Sequence, residues 1–149
     1  MSDRWVWVIR YVVVIVLALV LAAALGEMAL FKSTRIGKTG LNAARLVQFF
    51  GYGGALFVFW LLARRSATLL PSGDARWDVA RSILLPVATL IVVAAAHAVV
   101  LLLLQPLMSK AWLQAYNWLF ITGIILSAAW LLAALFTGSS TLRPLFRGR

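Results

Sequence analysis

The chain has 149 residues, 64% of them hydrophobic and 12% charged, with 14 Lys+Arg against 4 Asp+Glu, a net charge of +10 and no cysteine. A soluble domain of this size is about a quarter charged and under half apolar, because folding leaves roughly a third of the chain's surface in water, so this composition excludes a soluble globule. It also excludes a disordered tail, a disulfide scaffold, a thiolate metal site and a cysteine nucleophile, and the basic residues are interrupted by long apolar runs instead of forming the stripe that nucleic acid requires.

The first apolar segment, Tyr11–Phe31, follows Arg4 and Arg10. About 20 helical residues cross a hydrocarbon core of roughly 30 Å, so the segment predicts a transmembrane helix. Ala22-Ala23-Ala24 imitates the end of a secretory signal peptide, but the apolar run continues to Phe31, which favours an uncleaved span. Glu27 is the only charged residue inside any apolar segment. Four residues from the segment's end, it lies about 6 Å inside, shallow enough to pair with Lys32 or Arg35 at the interface. The sharper reading makes it an ion or proton site.

The link Lys32–Arg45 contains Gly37 and Gly40 as turn formers and Thr39 or Asn42 as a helix N-cap. Its Ile36-Gly37-Lys38-Thr39 carries the end of a phosphate-binding loop, but Lys32 stands where the motif's first glycine belongs and no strand precedes it, so the match is chance.

Leu46–Ala63, the shortest apolar segment, predicts the second span and carries Gln48. Its Gly51-Tyr52-Gly53-Gly54-Ala55 invites comparison with a potassium filter, which needs a preceding Thr-Val and an extended loop; here Phe49-Phe50 precede it. Gly51 and Ala55, four apart, instead predict a smooth face for close helix packing. In the link Arg64–Ser82, Pro71-Ser72-Gly73 reads as a turn before a short amphipathic stretch, with Asp74 as its N-cap, Asp78 and Arg81 on one face and Trp77 at headgroup level.

Ile83–Leu104 is the third span and holds the chain's one histidine, His97. At that depth an imidazole needs a partner; the plain reading is a neutral ring bonded to a neighbouring helix, and the sharper ones are a proton relay or a metal or haem ligand. With no second histidine and no cysteine, no metal or cofactor is expected. The link Gln105–Ala111, with Pro106, is short enough to make the third and fourth helices antiparallel neighbours. Trp112–Phe136, the fourth span, carries Asn117, and Gly123 and Ser127 give it a packing face like that of Gly51 and Ala55. Trp5, Trp7, Trp112, Trp118 and Tyr116 stand near span ends as interfacial anchors, while Trp60 and Trp130 are placed to pack between helices. In the basic tail, residues 137–149, Arg143, Arg147 and Arg149 are predicted to contact anionic headgroups, each worth about 1 kcal/mol, with Phe146 inserted shallowly.

Residues 1–149 thus read as one integral membrane domain, an all-α, up-down-up-down bundle of four transmembrane helices. The side of the termini holds Arg4, Arg10, Arg64, Arg65, Arg76, Arg81, Arg143, Arg147 and Arg149, nine basic residues, against five (Lys32, Arg35, Lys38, Arg45 and Lys110) on the other. That bias favours cytoplasmic termini in a bacterial inner membrane. Glu27, Gln48, His97 and Asn117 all fall in the outer half, where they form a candidate polar cluster if the helix rotations allow. No catalytic constellation exists: the spans hold one acid and one histidine. The expected function is a non-catalytic accessory, anchoring or assembly subunit that packs against other membrane subunits or itself, in lipid that includes anionic species. The alternative is a small oligomeric transporter or channel using Glu27 and His97; a membrane enzyme or haem protein comes third.

Overall fold

A computed structural model describes residues 3–70 and 75–140. Within them the chain is helical: α1 (Asp3–Glu27), the single turn α2 (Ala29–Ser33), α3 (Ala43–Leu69), α4 (Ala75–Leu104) and α5 (Lys110–Ser140). The four long helices have 25, 27, 30 and 31 residues. At about 1.5 Å per residue, each exceeds the thickness of a bilayer's hydrocarbon core. All four are apolar enough to span, and only 6–11% of each helix's most apolar 18-residue stretch is buried inside the protein. Such a surface is stable only in lipid, so the chain is an integral membrane protein.

Two boundaries differ from those expected, and one of two expected caps is selected. The first span ends at Glu27 and not Phe31, because Met28 is extended (φ −64°, ψ 132°) and the chain restarts as α2. Ala29, Leu30 and Phe31 are as apolar as the helix before them, so hydropathy does not register this break. The stretch around Trp77 is not a separate helix: α4 runs unbroken from Ala75 and contains Pro86, which removes one helical hydrogen bond without ending the helix. Asn42, not Thr39, caps α3, its side chain accepting from Arg45 N at 3.0 Å. Pro71, Ser72, Gly73, Asp74 and the tail residues Arg143, Phe146, Arg147 and Arg149 lie outside the described residues.

Between α2 and α3 the chain makes a miniature hairpin. Arg35 and Asn42 form an antiparallel bridge, Ile36 N donates to Leu41 O and Ala43 N to Thr34 O, both at 2.9 Å. Gly37 supplies the left-handed turn residue (φ +64°). Leu41 is buried, and Gly40 lies against Pro106, so the hairpin leans over the α4–α5 connection.

The spans form an open row. α1 packs on α3, α3 on α4 and α4 on α5; no other pair of long helices shares more than trace contact. The geometry of the middle helices explains this. On α3, Gly51 meets α1 while Gly53 meets Val99 of α4. On α4, Val99 faces α3 while His97 faces α5. Residues two apart lie about 200° around a helix, so each middle helix holds its neighbours on nearly opposite sides.

What is buried along the row is mostly small. Ala22, Ala44, Ala55, Ala63, Ala67 and Ala88 are among the few buried residues. At the α1–α3 seam the backbones come so close that a Cβ on Gly51 would collide with that of Ala22, itself 1% exposed. Gly54, three residues on, has open space around it. Gly51→Val is therefore expected to destabilise the protein by about 1–3 kcal/mol in a detergent unfolding titration, the usual cost of overpacking. Gly54→Ala, by contrast, is expected to be neutral or to gain up to about 1 kcal/mol from helix propensity. Equal effects at the two glycines would contradict the close α1–α3 approach.

Candidate functional site

The four polar residues expected in the outer half separate into two places. The first lies between α4 and α5. His97 stands seven residues before the end of α4, about 10 Å along the helix, and Asn117 seven after the start of α5. The two meet with His97 Nε2 3.1 Å from Asn117 Oδ1. An amide oxygen only accepts, so with Asn117 Oδ1 facing it Nε2–H is the donor of this hydrogen bond.

Aromatic rings fix the imidazole. Tyr116 stacks on it with centroids 5.3 Å apart and planes 23° apart, and Phe120 approaches edge-on at 5.2 Å. The Tyr116 hydroxyl donates to the backbone oxygen of His97 at 2.9 Å. Tyr116 is thus not the interfacial anchor expected of it; it is 7% exposed and ties α5 to α4. The same stripe continues along α5 at heptad-like spacing through Phe120 and Gly123 to Ser127. Gly123 faces Val93 of α4, and the buried Ser127 hydroxyl donates to the Gly123 carbonyl at 2.8 Å. That spacing was the signal in the sequence that could have assigned Tyr116 to the seam.

The second place is the end of α1. Glu27, its last residue, is exposed and pairs with Lys32 Nζ at 2.5 Å. An ion pair this open to its surroundings contributes little to stability. Gln48 lies beside it, its amide covering Gly26 so closely that a side chain there would require the Gln48 amide to move aside. No hydrogen bond links Glu27 or Gln48 to His97 or Asn117 among the described residues, and no group of three His, Cys, Asp or Glu side chains stands together there.

Two open grooves flank the α3–α4 seam. One, of about 310 Å³, runs past Phe49, Phe57, Trp60 and Ala96; the other, of about 330 Å³, past Leu19, Tyr52, Phe59 and Ala95. Both are walled almost wholly by hydrocarbon, and neither includes His97, Asn117 or Glu27. Trp60 borders the first and supports Arg64, whose guanidinium carbon is 5.7 Å from its ring, whereas Trp130 points outward. Chemically, the arrangement holds helices together; it offers neither a polar path nor a paired acid and base.

Comparison with family models, with curated proteins and with solved structures finds no match to this chain. The function has to be read from the geometry.

A double-mutant cycle tests the central contact. His97→Phe and Asn117→Leu are expected to show a coupling of about 0.6–2 kcal/mol, the range for interhelical hydrogen bonds in membranes. His97→Phe and Glu27→Gln, which share no partner, are expected to add within about 0.5 kcal/mol.

Proposed function

We propose that the protein is a non-catalytic accessory or assembly subunit whose open row of helices packs against other membrane subunits. The observation that carries this reading is the row itself. Among the described residues α1 and α5 each pack against one long helix, and both expose large apolar faces, on α5 including Trp112, Trp118 and Leu126. A transporter needs polar groups that converge on a water-accessible route. In this chain His97 is spent on Asn117 and Glu27 on Lys32, while both grooves are apolar.

The proposal includes orientation: an up-down-up-down path with both termini in the cytoplasm of a bacterial inner membrane. Its support is the nine-to-five division of basic residues. The up-down path has a further support in the antiparallel pairing of α1 and α3, where Trp7 near the start of α1 meets Arg65 near the end of α3 and Gly26 near the end of α1 meets Gln48 near the start of α3.

Extraction of the untagged chain from its native membrane in mild detergent is expected to yield a stoichiometric complex with at least one other membrane protein. Recovery of a homo-oligomer alone, conducting ions or protons when reconstituted and losing that activity in His97→Phe, would establish the transporter alternative instead. Reporter fusions after Arg149 and at Lys38 are expected to report opposite sides of the membrane, with the former cytoplasmic.

A further inference from the structure

At the end of the row where α1 begins and α3 ends, an arginine is held by aromatic rings. The guanidinium carbon of Arg65 lies 5.0 Å from the ring centre of Trp7 and 6.0 Å from that of Tyr11. Trp7 and Tyr11 meet edge to face at 6.0 Å and 84°. Stacking of this kind restrains a guanidinium while leaving its N–H donors directed outward in the plane of the group.

A second arginine shares the flank. Arg10 lies three residues after Trp7 and one before Tyr11, so it is level with Arg65, about 60° around α1 from Trp7. Ile15 and Leu19, which border the groove between α1, α3 and α4, lie on the other side of Trp7. On α3, Arg65 likewise falls on the side of Gly51 away from Tyr52 and Phe59, which border that same groove. Arg10 and Arg65 therefore face one flank of the α1–α3 seam. Neither has a carboxylate partner among the described residues, where the ion pair is Lys32–Glu27 at the opposite end of α1.

Below the arginines, the flank is shaped for hydrocarbon. Val14, Leu17 and Leu21 follow Arg10 at four, seven and eleven residues and are exposed. Gly54, eleven residues before Arg65 on the same face of α3, has nothing within 4 Å of where a Cβ would stand. An open position at Gly54 and a row of exposed aliphatic side chains on α1 thus lie below two arginines that have no carboxylate partner among the described residues.

We propose that this flank binds one anionic glycerophospholipid, its phosphate held between Arg10 and Arg65 and one acyl chain lying over Gly54. Two like charges placed together at the edge of a low-dielectric layer call for an anion, and a planar guanidinium fork matches the oxygens of a phosphodiester. The exposed apolar flank beneath distinguishes a lipid from a free phosphate, which has no chain to lie along it. The site is separate from the basic tail at residues 137–149.

The test uses the purified full-length chain, titrated with phosphatidylglycerol or phosphatidylcholine and read by native mass spectrometry. One phosphatidylglycerol is expected to be retained in preference to phosphatidylcholine. R10Q/R65Q is expected to weaken that retention at least tenfold. G54L, which adds bulk at the open position without altering charge, is expected to weaken it comparably while helix content by circular dichroism is unchanged. Equal retention of the zwitterionic lipid, or full retention by both variants, would overturn the proposal. Displacement of the lipid by millimolar glycerol phosphate would overturn it too, by showing a water-side phosphate site that does not depend on the acyl chain.

Discussion

Inside hydrocarbon, two apolar helices gain nothing from hiding their side chains from lipid, since acyl chains solvate leucine as well as another leucine does. Helices stay together there only where their surfaces fit at short range or exchange a hydrogen bond. Every well-defined contact in this protein obeys that restriction. Gly51 brings α3 onto Ala22 of α1, Gly53 sits beside Val99 of α4, and Gly123 beside Val93. His97 with Asn117, and the Tyr116 hydroxyl with the His97 carbonyl, supply side-chain hydrogen bonds between α4 and α5. The absence of a solvent-driven force also explains why the row stays open: closing α1 onto α5 would replace lipid contacts with protein contacts of similar worth.

The polar residues take on a particular meaning in that setting. His97, Asn117 and Tyr116 are used where α4 and α5 meet, and the hydroxyls of Thr89, Thr122 and Ser127 return to carbonyls of their own helices. Such back-bonding conceals a polar group from lipid without recruiting a partner. The interior therefore contains little that a substrate or ion could engage, whereas the ends of the helices are rich in arginine and tryptophan. Interaction with lipid and with other helices is what this distribution of chemistry favours.

How much of this was legible in the sequence depends on the kind of signal involved. Four spans were legible because an apolar run of about twenty residues has one common structural solution in lipid. The pairing of Glu27 with Lys32 followed from proximity along the chain. Lateral arrangement was not legible, because these helices are apolar on all sides and no amphipathic face points toward a centre. The meeting of His97 with Asn117 rather than with Glu27 or Gln48 depends on helix rotation, which the small residues set and hydropathy does not. Arg65 on Trp7 depends on the register of one helix end against another, and Tyr116 was read as an anchor because its position near a span end is equally suited to that role.

The open row also bears on how the chain is made. Because each long helix packs against the one that precedes it, a span leaving the ribosome finds its only docking surface already in the membrane. Assembly can then proceed one helix at a time, and no early segment has to wait for a distant one before its contacts form. A closed ring of four helices would lack that property, since its first helix remains half-partnered until the last arrives. Among the described residues the two edges of the row are open, so the order of folding and the exposed surface of the row have one origin.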